Sequence, residues 1–548
     1  MTVATQSAPT QPLPVMPATL PEWVRHGLLE SGKANEPMLI QGDKVLTGQQ
    51  LWDEASRLAV VFQQAGLKPG DRVGLLLGQQ TELVIGLIAA RLAGVVPVPV
   101  NLLWQPDDMG YVLQHSGVSA LVTDASFLPK LKPLKDMAIK RMLTGKAFHV
   151  WVVGSEGQAL PPVPGLQALE KVLAKADIEK LKPVAINPHE LGLLLYTSGT
   201  TARPKGVMLS EANLLANLQG IQAIKLILPT DRILMALPLF HAYGQTLTWL
   251  ALGLGVPVVL EPSFNPKALV AAVAANHITM LPLVPSLLSV MADGLGKNQA
   301  MVDILKPLRL FVSGGAALPP AVLSKINDLT GVPVLEGYGL TETSPVVAVN
   351  RLEGSGQAGP KAGTVGIPLP NVVVRLQRDE TTGLEQIEIK APSVMLGYYQ
   401  DEASTQAVMA PDGWFKTGDV GEWDAEGRLI LSGGRIKELI IKDGENISPL
   451  RVEAALATNS AVVEVCVVGL PAVGASARGE RIGAAVVLAE SSEDTADTLR
   501  VWSRQHISPL WQPDEWLVVS ELPKNATGKV LRRTLKETWS SLEASAAV

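Results

Sequence analysis

One cysteine, Cys466, occurs in the 548 residues, so the chain can close no internal disulfide, and a reducing compartment is indicated. Charge is scarce: Asp, Glu, Lys and Arg make up 18% of the chain, against a typical ~25%. The formal net charge of −6 is a mild acidic excess and argues against a generic nucleic-acid binder. Long apolar runs are missing too. The stretch Trp249–Leu260 (WLALGLGVPVVL) is interrupted by Gly253, Gly255 and Pro257 and falls short of the ~20 residues of a bilayer helix. It reads as a buried helix end running into a buried strand, and the protein is expected to be cytoplasmic, with no transmembrane segment. His26, His115, His149, His189, His277 and His506 show no metal-ligand spacing. No G-x-G-x-x-G follows a strand, which sets aside a nicotinamide-dependent Rossmann enzyme. Nucleophilic triads, solenoid repeats and a carrier domain are likewise not evident.

Hydrophobic residues nevertheless make up 47% of the chain, which supports a large core and excludes disorder over most of the length. Residues 1–21 carry no charged side chain and lack the basic start and apolar core of a secretory signal; they are expected to form a disordered leader. Beyond them, apolar runs and helical patterns alternate: Val73–Leu77, Leu83–Leu92, Val95–Val100, Asp107–His115 and Ala120–Thr123. Continuous apolar strands separated by helices imply parallel sheets buried on both faces. After about residue 430 the texture changes to short strands and two helical stretches. The predicted fold is therefore α/β. A large N-terminal domain (22–434) of layered, mostly parallel sheets flanked by helices is followed by a small, mobile α+β domain (435–548).

The strongest motif is Tyr196–Ser210, YTSGTTARPKGVMLS. An apolar strand, Leu191–Leu195, runs into the hydroxyls of Thr197, Ser198, Thr200 and Thr201 around Gly199, and Lys205-Gly206 closes the loop. Small residues let backbone N–H groups approach a polyphosphate, hydroxyls add donors and the lysine adds charge. The Walker spacing is absent. This segment resembles the phosphate loop of the adenylate-forming superfamily of acyl-CoA synthetases, luciferases and peptide-synthetase adenylation domains, with Ala202 where the usual form has glycine. Further family motifs follow in order, so the resemblance spans roughly residues 30–540.

In Glu336–Pro345 (EGYGLTETSP) the resemblance implies that Glu336, Gly337, Tyr338 and Gly339 line the adenylate. Tyr338 would stack on adenine, Thr341 would contact phosphate and Glu342 would hold Mg²⁺, for which a carboxylate oxygen is a suitable hard ligand. Upstream, Gly314, Gly315 and Ala316 of SGGAA would let a flat base or an acyl group lie close to backbone. In GWFKTGD, Asp419 would take both ribose hydroxyls, helped by Arg435. Lys437 occupies the family's hinge position, and Lys442–Gly444 resembles the loop lining the pantetheine tunnel. PKNATGK reads alone as a surface turn; in the family its last residue, Lys529, bridges the carboxylate and the α-phosphate.

The implied reaction joins a carboxylate to the α-phosphorus of ATP, releasing pyrophosphate, after which a thiol takes the acyl group from AMP. The implied cofactors are ATP, Mg²⁺ and CoA as co-substrate. In PLFHAYG, His241 stands where amino-acid-activating relatives place an Asp, and Tyr243 follows it among small apolar residues. A hydrophobic acid is therefore favoured, a medium- or long-chain fatty acid slightly over an aryl acid. His241 is given a steric or positioning role at a substrate gate. A carrier-protein phosphopantetheine stands as the alternative acceptor to CoA, and a catalytically silent nucleotide-binding relative as the remote alternative. Ala472, where relatives often carry Asp, bears on acceptor docking.

Overall fold

The computed structural model describes residues 5–7, 13–130, 148–154, 160, 165–197, 203–262, 265–352, 359–380, 383–442, 445–471, 480–489, 494–524 and 530–546. Among them, β-branched and Leu-rich runs form two sheets of the predicted kind. The first is a parallel five-stranded sheet, in the order Val96–Pro99, Arg72–Leu76, Ala120–Asp124, His149–Val153, Leu166–Ala168. The second has nine strands. Its centre, Val334–Gly339 through Leu310–Ser313, Met280–Leu283, Ile233–Met235 and Val258–Leu260 to Pro37–Gln41, is parallel, and antiparallel strands close both edges. Trp249–Leu260 is indeed a helix end, Ala242–Gly253, running into the buried strand Val258–Leu260. No helix among the described residues is long and apolar enough to cross a membrane.

A third sheet is antiparallel and joins Thr5–Ser7, Val373–Arg378, Glu385–Lys390, Phe415–Trp423 and Leu429–Arg435. Thr5–Ser7, expected within a disordered leader, pairs here with Val373–Arg375, because an edge strand offers unpaired N–H and C=O groups to any extended segment. The helix Leu20–Arg25 also starts inside that leader, fixed by a capping box in which Thr19 and Glu22 satisfy each other's backbone N–H groups. The domain boundary anticipated between 434 and 435 falls inside the last strand of this sheet.

One apolar core runs continuously from Leu20 to Leu429 and joins all three sheets. Past it the chain builds two cores of its own. The first gathers Ile440, Val452, Val467, Ile482 and Leu499; the second gathers Cys466, Leu470, Leu522, Leu535 and Trp539. Burial pushes the Cys466 thiol up to about 12, so it packs as a small apolar side chain.

Candidate active site

The phosphate side of the site starts from a hairpin. Leu191–Thr197 pairs antiparallel with Lys205–Ser210, bringing Thr197 opposite Lys205. Ser198, Gly199, Thr200, Thr201 and Ala202 lie outside the described residues. Ser210 ends the hairpin and caps the helix Glu211–Ala223 by accepting the Asn213 N–H. Glu211 at the head of that helix is fully buried; its carboxylate takes the Arg91 guanidinium at 2.7 Å and the Leu20 N–H at 3.2 Å, so the charge is paired on both oxygens.

On the outer side of the hairpin lies Gly397–Tyr398, paired with Val207 and Met208. There Lys205 is enclosed by groups that no family motif had marked. Its Nζ donates to Ser404 Oγ, sits 3.6 Å from Asp401 Oδ2 and lies 5.0 Å above the Tyr398 ring. Hydrogen bonds from Ser404 hold the Asp401 carboxyl below its usual range, with the nearby Lys205 charge acting in the same direction. Tyr398 Oη also donates to Glu342 Oε1 at 2.8 Å.

Glu342 sits in a one-turn helix, Thr341–Thr343, and its carbonyl accepts the Met395 N–H at 2.8 Å. Among the described residues only one oxygen of its carboxylate has a partner. No cluster of three or more acidic, His or Cys side chains suited to a metal occurs among the described residues. A single carboxylate with one free oxygen nevertheless fits Mg²⁺, which is commonly held by one or two carboxylates with phosphate oxygens and water completing the octahedron.

The adenosine side is built on Val334–Gly339. Tyr338 is buried and donates from Oη to Asp419 Oδ2 at 2.6 Å, so the side chains expected at base and ribose touch one another. Asp419, which alone would read as a turn residue, lies within the strand Phe415–Trp423, opposite Arg435 in register. The side chains of Arg435 and Lys437 are outside the described ones. Glycine at 339 is required by space: a Cβ there would sit 1.8 Å from the Pro345 carbonyl oxygen. Gly337 also approaches the neighbouring strand, with a Cβ position 3.2 Å from Ala348 O. Glu336 is buried, accepts the Leu318 N–H at 2.9 Å, and is pushed up to about 7 by desolvation.

The acyl side gathers at the head of Ala242–Gly253. His241 occupies the cap position, and its Nε2 is closed off with no hydrogen-bond partner among the described residues. Burial lowers this imidazole to about 4, so it is uncharged at neutral pH, which suits positioning better than proton transfer. Tyr243 reaches across to Val312 O with its hydroxyl at 3.3 Å, and its ring lies 3.4 Å from where a Cβ on Gly314 would be. Gly315 follows with φ +89° and open space around it, leading to Ala316. In the small unit, Lys442 Nζ contacts both oxygens of Asp514 at 2.8 Å. Gly444, Ala472 and Lys529 lie outside the described residues.

Sequence reasoning brought Lys205, Tyr338, Glu342 and Asp419 together and missed Tyr398, Asp401 and Ser404. The run GYYQDEAST held a usable signal, since Asp401 caps the helix Glu402–Val408 by accepting the Ser404 N–H.

The AMP-binding enzyme family model matches residues 30–399, and the AMP-binding enzyme C-terminal domain model matches 451–529. A long-chain-fatty-acid–CoA ligase of Bacillus subtilis is 31% identical over 90% of this chain and 90% of its own. A sulfoacetate–CoA ligase of Cupriavidus necator is 33% identical over 91% and 94%. Among solved structures, ATP-bound MatB from Rhodopseudomonas palustris superposes with a TM-score of 0.82 at 26% identity, covering 96% of this chain and 100% of that one. A benzoate CoA ligase from Burkholderia xenovorans gives 0.79 at 25%, covering 94% and 99%. On these matches the chain belongs to the AMP-binding enzyme family and is an enzyme of its acid–thiol ligase kind.

Proposed function

We propose that this enzyme activates a hydrophobic carboxylic acid, a medium- or long-chain fatty acid first of all, and passes its acyl group to CoA. The observation that carries the reading is the uncharged His241 heading an apolar helix, with no acidic residue from 241 to 254 to hold a substrate ammonium. In the first step a carboxylate oxygen forms a bond to the α-phosphorus of ATP while the bond to pyrophosphate breaks. Both reactants are anions, so charge neutralisation and positioning set the barrier. Lys205 and the loop hydroxyls would hold the leaving phosphates. Tyr338 and Asp419, with Arg435, would fix adenosine. Glu342 would hold the metal and Thr341 the phosphate, and Mg²⁺ bound there would supply cationic charge to offset that of the phosphates. Lys529 would bridge carboxylate and phosphate. In the second step the thiol sulfur bonds to the acyl carbon and AMP leaves; the small domain, turning about Lys437, would withdraw Lys529 and present Lys442 and Gly444 to pantetheine.

One observation favours a second reading of the acid. The Tyr243 ring lies against Gly314, which would shorten the space beside a bound adenylate and suit a compact aryl acid. Pyrophosphate release from Mg-ATP across fatty, aryl and amino acids, with and without CoA, tests these readings. Release that needs a fatty acid and turns over with CoA is expected. Turnover with aryl acids alone would move the assignment to the second reading. A single burst that CoA fails to relieve would identify a carrier protein as acceptor, and no release with any acid would overturn the proposal.

A further inference from the structure

We infer that Tyr398 is a positioning residue that links the metal-binding carboxylate to the phosphate-loop lysine. The inference rests on the reading of Glu342 as the magnesium residue. Two observations and one chemical argument carry it. First, the Tyr398 hydroxyl donates to one oxygen of Glu342 at 2.8 Å while its ring lies 5.0 Å beneath Lys205 Nζ, so one side chain touches both charges. Second, a neutral donor fixes the carboxylate plane and leaves its charge intact, where a lysine or arginine in the same place would compete with a cation. Groups of this type around a metal ligand commonly change metal affinity by 10–100-fold when removed.

Third, the backbone around Tyr398 is held on every side. Tyr399 N–H donates to Gly206 O at 2.7 Å and Leu396 N–H to Met208 O at 2.9 Å, tying it to the lysine strand. Met395 N–H donates to Glu342 O at 2.8 Å, tying it to the carboxylate segment. Its own N–H donates to Thr405 Oγ1 at 2.9 Å. Gly397 adopts φ +138° and would place a Cβ 2.8 Å from Thr405, so the turn that aims the ring depends on glycine. A ring fixed this firmly would tie the position of Lys205 to that of the Glu342 carboxylate.

The test is Mn²⁺ binding in the presence of a non-hydrolysable ATP analogue, followed by electron paramagnetic resonance, in the full-length protein. Tyr398→Phe keeps the ring and removes only the hydroxyl. It is expected to weaken Mn²⁺ binding about 10-fold and to raise the Mg²⁺ concentration required for pyrophosphate release, with the KM for the acid unchanged. In a double-mutant cycle with Glu342→Gln, the penalty of Tyr398→Phe should vanish, because the hydroxyl then has no carboxylate to orient; a merely structural role would persist. Unchanged Mn²⁺ affinity in Tyr398→Phe beside a loss in Glu342→Gln overturns this inference alone. Unchanged affinity in Glu342→Gln overturns the assignment of Glu342 and the inference with it.

Discussion

The functional side chains of the large N-terminal region and the polar groups of the C-terminal unit are held in opposite ways. In the large N-terminal region the functional side chains hold each other: Lys205 over Tyr398, Tyr398 on Glu342, Tyr338 on Asp419. Tyr338 and Asp419 stand on two of the sheets that share one continuous core, Lys205 and Tyr398 on a separate three-stranded sheet, and Glu342 on a one-turn helix. In the C-terminal unit Lys442 and Arg532 find their partners within that unit, while Arg451 Nε donates back to Ser432 O at 3.2 Å. Lys442 is clamped by Asp514, and Arg532 spans Glu438, Glu453 and the Val467 carbonyl. Its apolar residues form separate clusters. Functional side chains that bond one another can be preorganised before substrate arrives, whereas the proposed rotation of the small domain would require its groups to sit on a body that keeps its own internal bonds.

The sharpest way to break this contrast is at Lys529. Lys529→Ala should slow adenylation by about 10²–10³-fold, the usual scale for removing one preorganised charge-stabilising group, yet spare the reaction of supplied acyl-AMP with thiol. Stopped-flow measurement of each half-reaction decides it, and equal loss in both would remove the division of labour. Next in size is Arg532→Met, which strips the partner from Glu438 and Glu453. These carboxylates are partly solvated, so a loss of about 2–3 kcal/mol is expected rather than the full cost of a buried break. Calorimetry should show an early transition from the C-terminal unit with the main transition unmoved. One transition shifting as a whole would mean that the two regions unfold together.

Parallel strands were readable because they are buried on both faces and so run apolar without interruption, as in Val73–Leu77. The antiparallel sheet was read only at its last strand, near Arg428–Ser432; Val373–Arg378 alternates buried and half-exposed residues, and Glu385–Lys390 buries the charged Glu388 between Ile387 and Ile389, so neither is a continuous apolar run. Asp419 was found through a motif that says nothing of its strand. The enclosure of Lys205 escaped because Tyr398, Asp401 and Ser404 lie nearly two hundred residues downstream, and proximity at that separation is a product of strand pairing, not of local pattern. Thr5–Ser7 escaped for a related reason: a short polar segment becomes a strand only when an edge is there to receive it.

Glu336 offers a smaller effect confined to the large region. Its folded-state value of about 7 stands above the ordinary 4.5, so the folded protein holds this proton more tightly than the unfolded chain. The contribution to stability is present in full below pH 4.5 and is lost as pH rises through 7. Glu336→Gln should therefore gain about 1–3 kcal/mol over wild type at pH 8 and about nothing at pH 4. Denaturant midpoints at the two pH values check this, and a constant difference would show that the carboxyl is solvated.

The smallest effect bears on how tightly the large region's network is closed before nucleotide binds. Asp401 and a phosphate are both anions seeking Lys205. The pair at 3.6 Å is partly exposed, and exposed pairs contribute about 0–1 kcal/mol. Asp401→Asn should thus lower the Kd for ATP by no more than about fivefold, the factor that 1 kcal/mol allows, while Ser404 still orients the lysine. Calorimetric titration reads the change directly. A weaker Kd would reverse the relation, making Asp401 a brace that aims Lys205 at the phosphates, and the network around Tyr398 would then include a fourth member with a constructive role.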